Sequence, residues 1–197
     1  MVTETSRPTS SHPGHITTAS ARQVARLRGL ETNDFGRQGA AQSRHAGPRR
    51  GTLVKIYADT SVLFSLYITD ANSPKADAWR QANPFPLDFT GFHRIELRNA
   101  LSLAVFQQRL TSVEVQAAWR EVQQDLAAGL LATNPDLWEK LLREAESLAE
   151  LHTPTIGSRS LDILHVAAAL ASGATEFCTF DTRQGKLARR AGLRVQP

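Results

Sequence analysis

Two aspartates follow runs of residues that predict buried β-strands. Asp59 comes after the largely apolar run 53–58, and Asp181 comes after a second such run at 176–180. Aliphatic, aromatic and β-branched residues of this kind suit a strand that is buried on both faces. The carboxyl ends of parallel strands meet at one edge of a sheet, where open α/β sheets bind their ligands. The pattern therefore predicts two carboxylates at such an edge.

Two further acids, Glu96 and Asp162, lie within predicted helices. Asp162 falls in the first turn of the helix 160–172, where an acid gains about 0.3–1 kcal/mol from the helix dipole. Glu96 has no lysine or arginine three or four residues away and lies beside an apolar stripe. Asp59 and Asp181, taken one at a time, need be no more than helix N-caps. Only the combination of the four acids indicates chemistry.

Bringing four carboxylates together has an electrostatic cost. Carboxylates about 4 Å apart repel each other by up to about 4 kcal/mol per pair at an effective dielectric constant of about 20. A helix cap contributes only about 1 kcal/mol, so such a cluster requires a cation. Oxygen ligands with neither cysteine nor a histidine pair favour Mg²⁺, with Mn²⁺ as the alternative. Such an ion can activate water for attack on a phosphodiester.

The helix 160–172 is apolar on nearly every side, as a helix in the centre of a domain would be. Its polar residues Asp162, His165 and Ser172 form one stripe at helical spacing. His165 would contact a phosphate or a metal-bound water, or it would be a core histidine bonded to a backbone carbonyl. The second interpretation is favoured, because a lone histidine among apolar residues is more often part of the core.

The composition is typical of one soluble globular domain, with 41% hydrophobic and 21% charged residues among 197. The only cysteine, Cys178, excludes an intramolecular disulfide and a cysteine-based zinc site. No apolar run reaches the roughly 18–20 residues that span a bilayer, so no membrane partner and a cytoplasmic location are expected. Trp79, Trp119 and Trp138 occur at helical core spacing, which predicts packing rather than base stacking.

The net charge of +4 belongs to the amino-terminal segment. Residues 1–51 carry eight arginines and three acids, a net charge of +5, whereas residues 52–197 carry fifteen basic and sixteen acidic residues, a net charge of −1. Residues 1–51 also have few large apolar side chains, which predicts a disordered basic leader. A mis-assigned start and a transit peptide are alternative interpretations of this segment. Any nucleic-acid-binding surface on the remaining residues must therefore be local.

Residues 52–197 alternate between strand and helix patterns and are predicted to form one domain. The strands are expected at 53–58, 87–90, 130–133, 176–180 and 193–195. The principal helices are expected at 91–110, 112–128, 160–172 and 181–191, with a loop at 153–157. This order predicts an α/β fold of three α/β/α layers around a central, mostly parallel sheet of four to five strands.

The acid-bearing motifs resemble those of a known family. They are YADTS at 57–61, Glu96 inside a helix, SLDILHVAAA at 160–169 and TFDTRQ at 179–184. In this order and spacing they resemble the PIN domain, and more narrowly the VapC-type toxins of bacterial type II toxin–antitoxin systems. The resemblance covers about residues 53–197, and the leader departs from it because those proteins usually begin at the first strand.

The resemblance implies a Mg²⁺-dependent endoribonuclease in which four acids hold the metal: Asp59, Glu96, Asp162 and Asp181. It implies that Thr60 or Ser61, together with Thr179, orients these carboxylates. It also implies a homodimer and a cognate antitoxin protein that occupies the site. The apolar helices 91–110 and 112–128 offer exposed faces to which a partner helix could bind.

A group of basic residues surrounds the last two motifs and suits an RNA substrate. Its members are Arg159, Arg183, Lys186, Arg189 and Arg190. They could hold phosphates on either side of the cut bond. An equally simple interpretation is a solvated helix face, whose lysines and arginines favour the carboxyl-terminal end of the helix.

Two other functions remain compatible with the sequence. One is a PIN-like module that binds RNA or protein without catalysis, and the other is a nuclease of related fold that cuts DNA. A phosphotransfer enzyme is disfavoured, because the chain has no glycine-rich phosphate loop followed by Lys-Ser/Thr. The sequence identifies neither the RNA target and cut site, nor the number of metal ions, nor the antitoxin.

Overall fold

The computed structural model describes residues 55–133 and 138–197, and the prediction of a disordered leader at 1–51 lies outside them. The strands are β1 (Ile56–Ala58), β2 (Leu87–Asp88), β3 (Leu131–Ala132), β4 (Glu176–Cys178) and β5 (Arg194–Gln196). The helices are α1 (Thr60–Tyr67), α2 (Ser73–Ala82), α3 (Gly91–Phe106), α4 (Ser112–Ala127), α5 (Trp138–Ile156), α6 (Ser160–Ala171) and α7 (Thr182–Arg190).

Every strand pairing in the described residues is parallel, which confirms the predicted α/β class. Strand β4 lies between β1 and β5, with Ala58 opposite Cys178. Strands β2 and β3 form a separate two-stranded ladder instead of extending the same sheet. An ion pair of 3.0 Å between Lys55 Nζ and a carboxylate oxygen of Asp88 brings β2 next to β1.

The side chains of β1 alternate between two hydrophobic clusters, one on each face of the sheet. Ile56 and Ala58 belong to a cluster with residues of α1 to α4, including Leu63, whereas Tyr57 packs against α5, α6 and α7. Successive side chains of a strand point to opposite faces. Helices therefore cover both faces of β1, as the predicted three-layer arrangement requires. The ring of Tyr57 stacks on Phe177 of β4 at 5.6 Å between centroids.

Helix α6 is buried because it packs between α5 and the sheet. Eight of its twelve residues are buried, including Asp162 and His165. The apolar sequence predicts this central position, and the predicted end near Ser172 agrees with the last helical residue, Ala171. Gly173 follows with a φ of 78°, a left-handed conformation that glycine adopts without steric cost.

Helix α5 extends through residues for which a loop was predicted, so that prediction was wrong. It continues to Ile156 and contains Pro154 in its last turns. The Gly157 N–H donates to the Thr153 carbonyl at 2.9 Å, so helical bonding continues past the proline. Proline removes one backbone donor, a loss that a helix of 19 residues packed on α6 tolerates.

Two of the three tryptophans pack as predicted, and one does not. Trp79 and Trp119 are 6% and 5% exposed. Trp138 is 56% exposed, and its ring stacks on Phe92 at 5.4 Å. Contrary to the prediction, Trp138 is therefore not part of the core, because it lies in the first turn of α5, at the amino-terminal end of the buried stripe, where its ring packs on Phe92 at the surface.

None of the helices formed by residues 55–133 and 138–197 combines the length and the hydropathy that crossing a membrane requires.

Helix α4 begins with the predicted capping box. The Glu114 N–H donates to Thr111 Oγ1 at 3.3 Å, and the Thr111 N–H donates to a Glu114 carboxylate oxygen at 2.7 Å. Hydrogen bonds from the backbone and the side chain of Thr111 hold the pKa of Glu114 below its usual value. The folded state therefore stabilises the charged form of this acid.

Replacing Glu114 by glutamine is expected to lower the free energy of unfolding by roughly 0.3–1 kcal/mol at pH 7, towards the lower end because the exposed pair is screened. Because the folded pKa is the lower one, this contribution is present above the unfolded pKa and disappears as pH falls through the folded pKa. Urea denaturation of both proteins between pH 7 and pH 3 measures the difference. Glu146→Gln, at an exposed position of α5, is the control. A difference that does not change with pH would contradict this explanation.

Candidate active site at the strand ends

Asp59 lies directly after β1 and is fully buried. Its Oδ1 accepts hydrogen bonds from Ser61 Oγ at 2.6 Å and from the Val62 N–H at 3.1 Å. Its Oδ2 accepts a hydrogen bond of 2.5 Å from Thr179 Oγ1. The aspartate is thus the N-cap of α1, as the capping interpretation predicts, and both of its oxygens also point to side chains of the strand-end region.

The carboxylate of Asp59 is buried without a basic partner in the part of the chain that the structure describes. Burial raises the pKa of Asp59, while the hydrogen bonds from Ser61, Thr179 and the Val62 N–H act in the opposite direction. Among the described residues, no lysine or arginine forms an ion pair with it. A buried carboxylate without a basic partner is costly. A cation that reached Asp59 would therefore be bound favourably.

Two hydroxyl groups join the end of β1 to the end of β4. Thr179 Oγ1 donates to Asp59 and accepts from the Asp181 N–H at 2.9 Å. Ser61 Oγ donates to Asp59 and accepts from the Phe180 N–H at 2.9 Å. Each hydroxyl uses its donor on the Asp59 carboxylate and its acceptor on a backbone N–H that follows β4. Asp59 and Asp181 are therefore held in a fixed relation by one intervening side chain.

Asp181 is the N-cap of α7. Its Oδ1 accepts from the N–H groups of Arg183 at 2.7 Å and Gln184 at 3.0 Å. The other acid at this end, Asp162, is 7% exposed and accepts from the Arg159 N–H at 2.9 Å. The Arg183 guanidinium lies 4.0 Å from the same Asp162 oxygen. Arg183 thus contacts both acids, one through its backbone and one through its side chain.

Glu96 reaches the site from α3, with 25% of its side chain exposed, and bonds to a histidine of α6. His165 Nε2 donates to Glu96 Oε2 at 2.7 Å. Burial acts to raise the pKa of Glu96, but the hydrogen bond from His165, with a further hydrogen bond from Thr60, outweighs it. The pKa of Glu96 is consequently lowered, and its charged form is favoured.

His165 is fully buried, as predicted, but its partners are not a backbone carbonyl. Its Nδ1 lies 2.9 Å from the Tyr57 hydroxyl, and its Nε2 lies 3.3 Å from Thr60 Oγ1 in addition to the Glu96 contact. The histidine that does bond to a carbonyl is His93, whose Nε2 lies 2.9 Å from the oxygen of Ala58. The hydrogen-bond prediction for His165 was therefore wrong.

No sequence pattern predicted that Tyr57 and His93 belong to this site. Tyr57 is a typical residue of a buried strand, so its position in β1 needs no further explanation. His93 lies in a predicted helix, three residues before Glu96. The one available signal was the polar stripe of α6, because a buried histidine in an apolar helix needs polar partners from other elements.

The acids are neighbours, but they do not form an assembled ligand group. In the two described segments, no three histidine, cysteine, aspartate or glutamate side chains are close enough together to hold one metal ion. Thr179 stands between Asp59 and Asp181, and Arg183 stands between Asp181 and Asp162. These interposed donors offset the repulsion that four carboxylates would otherwise produce. The donor chemistry, carboxylate oxygens around a buried unpaired Asp59, fits a hard divalent cation.

The basic residues divide into two places. Arg159 and Arg183 lie beside Asp162. Lys186, Arg189 and Arg190 line a pocket of about 390 Å³ together with Thr155 and Ile156 at the end of α5. The basic side chains of α7 therefore lie in two places: Arg183 is next to Asp162, and the others line a separate pocket.

These observations define an α/β domain whose acidic residues surround the carboxyl ends of β1 and β4. The family model of the PIN domain matches residues 56–190, and the chain belongs to the PIN domain family. The crystal structure of FitAcB from Neisseria gonorrhoeae has a similar fold. The TM-score is 0.51 at 18% sequence identity, over 73% of this chain and 97% of that chain. No curated protein matches the sequence significantly.

Replacing Thr179 by valine is expected to lower the free energy of unfolding by roughly 1–3 kcal/mol. Valine has nearly the shape of threonine but leaves the buried Asp59 oxygen and the Asp181 N–H without this partner. The melting temperature should fall by about 2–4 °C for each kcal/mol. Thr175→Val, at an exposed position just before β4, is the matched control and should be nearly neutral. Equal effects of the two substitutions would show that the Thr179 hydroxyl does not support the site.

Proposed function

We propose that this PIN domain is a metal-dependent endoribonuclease and the toxin of a type II toxin–antitoxin system. The observation that carries the proposal is the fully buried Asp59 carboxylate at the end of β1, which is linked through Thr179 to Asp181. PIN domains are generally nucleases, so family membership supports a hydrolase that acts on nucleic acid. The metal dependence, the preference for RNA and the toxin role are parts of the proposal.

Four residues would hold Mg²⁺, or Mn²⁺ in its place: Asp59, Glu96, Asp162 and Asp181. When bound, the ion supplies an activated water and stabilises the leaving oxygen of the phosphodiester. Ser61 and Thr179 hold the Asp59 oxygens in position, and Thr60 lies beside the His165–Glu96 pair. The hydroxyl donors favour the charged form of Asp59, which a metal ligand must adopt, against the opposing effect of burial.

The RNA would approach along the basic residues of α6 and α7. The Arg183 guanidinium, 4.0 Å from Asp162, would contact a phosphate next to the cut bond, and Arg159, whose backbone N–H donates to Asp162, would be a second phosphate contact. The pocket lined by Lys186, Arg189 and Arg190 would take a phosphate further along the strand. Because residues 52–197 have a net charge of −1, attraction of RNA to this part of the chain depends on such local groups.

A non-catalytic PIN-like module that binds RNA or protein is the second candidate. It is favoured by the finding that no three potential ligands are assembled among residues 55–133 and 138–197. Catalysis is preferred to it because a buried, unpaired Asp59 is a cost to stability that a binding module has no need to retain. A DNA-directed nuclease is separated from the leading proposal by comparing RNA and DNA hairpins as substrates.

The purified protein is expected to cleave RNA with Mg²⁺ or Mn²⁺ and to lose this activity fully in EDTA. Asp59→Asn or Asp181→Asn should reduce cleavage to background, because each substitution removes a charge that holds the cation. Both variants should still unfold cooperatively. Sequencing of cellular RNA ends after induction of the wild type and of Asp59→Asn would reveal the cut sites.

The matched control for these acids is Glu146→Gln, at an exposed position of α5, which should leave cleavage unchanged. Full RNA cleavage by Asp59→Asn would contradict the proposal. Tight RNA binding that EDTA does not affect, without any cleavage, would favour the binding module.

A cognate antitoxin and a homodimer complete the proposal, and both need exposed apolar surface. Ile95 and Phe106 on α3 are 69% and 84% exposed. They are eleven residues apart, so they lie within about 20° of each other around the helix. Val113 at the start of α4 is 71% exposed. An amphipathic partner helix could cover this apolar stripe, because such helices bind through side chains at helical spacing. A cytoplasmic location is proposed with the toxin role.

The double substitution Ile95→Ser and Phe106→Ser should reduce co-purification of the protein encoded by the adjacent upstream reading frame. Serine removes the apolar contact area of a partner without disturbing the core, since both side chains are exposed. Leu151→Ser on α5, at a site that is 67% exposed, is the matched control and should not affect co-purification. Equal co-purification with both variants would exclude α3 as the partner surface.

A further inference from the structure

Both ring nitrogens of His165 have hydrogen-bond partners on other elements, and Nε2 has Thr60 Oγ1 at 3.3 Å in addition to Glu96. Its Nε2 lies 2.7 Å from Glu96 Oε2, and its Nδ1 lies 2.9 Å from the Tyr57 hydroxyl. A carboxylate can only accept hydrogen bonds, so the hydrogen of this contact belongs to Nε2. Nδ1 is then the acceptor for the Tyr57 hydroxyl in the neutral ring. The two partners thus select a tautomer whose donor points at Glu96.

The surroundings of the ring support this assignment. Tyr57 is fully buried, and burial raises its pKa, so its hydroxyl keeps the hydrogen that Nδ1 accepts. His93 lies beside His165, with 4.7 Å between ring centroids. Its Nδ1 accepts from the Thr90 N–H at 3.0 Å while its Nε2 donates to the Ala58 carbonyl, so His93 is neutral. Burial accordingly lowers the pKa of His93 far below its usual value.

Glu96 is oriented by this contact, together with the hydrogen bond from Thr60. Its side chain is 25% exposed and belongs to α3, whereas His165 is completely buried in α6. Asp162 lies three residues before His165, on the same face of α6. A rigid histidine of α6 therefore fixes the glutamate of α3 in relation to the aspartate of α6.

We propose that His165 is a positioning residue, which fixes the Glu96 carboxylate relative to α6 through the hydrogen on Nε2. The inference rests on the proposed nuclease function, in which both acids hold the metal ion. His165 itself contacts neither the substrate nor the ion. Its loss should therefore lower the rate of cleavage through a misplaced Glu96, while RNA binding is retained.

Three substitutions separate positioning from simple packing. Glutamine places an amide donor near the position of Nε2, asparagine places one near the position of Nδ1, and leucine offers no donor. His165→Leu and His165→Asn should lower kcat by about 10–100-fold with little change in KM, as supporting residues of metal sites commonly do. His165→Gln should recover most of this loss. Ser172→Ala, at the C-cap directly after α6, is the control and should retain wild-type activity.

A second measurement needs no variant and no activity. Nitrogen-15 NMR of the histidines in the full chain should show hydrogen on Nε2 of His165. A ring that carries hydrogen on Nδ1 alone would overturn the inference, because Glu96 would then face a bare nitrogen. Equal losses in His165→Gln and His165→Leu, with both proteins folded, would also overturn it. A wild type that cleaves no RNA in Mg²⁺ or Mn²⁺ would instead refute the proposed function.

Discussion

The burial of the Asp59 charge is the constraint on which the site depends. Taking a carboxylate out of water costs several kcal/mol unless hydrogen bonds or a cation compensate it. Here the compensation comes from Ser61 and Val62 at the start of α1 and from Thr179 after β4. These groups meet only because Ala58 lies opposite Cys178 in the parallel pairing. The geometry of the acids is therefore a product of strand register.

The second half of the site is built by helices and not by the sheet. Asp162 closes the first turn of α6 by accepting from Arg159, and His165 one turn later holds Glu96 of α3. A helix that is buried on almost every side cannot rotate without exposing apolar surface. Because α6 is held rigidly against α5 and the sheet, it fixes the positions of Asp162 directly and of Glu96 through His165. The acids of the strand ends and those of the helices are then joined through Arg183.

Local sequence patterns predict the elements and the strand-end acids well, because capping and alternation depend on neighbouring residues. The α4 capping box and the position of Asp59 after β1 are examples. What the patterns do not predict is long-range pairing. His165 meets Glu96 and Tyr57 at sequence separations of 69 and 108 residues, and no helical or strand period encodes such contacts. The loop predicted around Pro154 was wrong because a local helix-breaking residue was given too much weight. Tertiary packing of α5 outweighs that local signal.

The pairing of β1 with β4 also has a consequence for the timing of assembly on the ribosome. Asp59 and Thr179 are 120 residues apart, so the hydroxyl that holds Oδ2 is synthesised long after the aspartate. A nascent chain that ends before β4 lacks both the strand that pairs with β1 and the Thr179 hydroxyl that donates to Asp59. Any catalysis at this site must therefore begin only after nearly all of the PIN domain has left the exit tunnel, and unfinished chains would be inert.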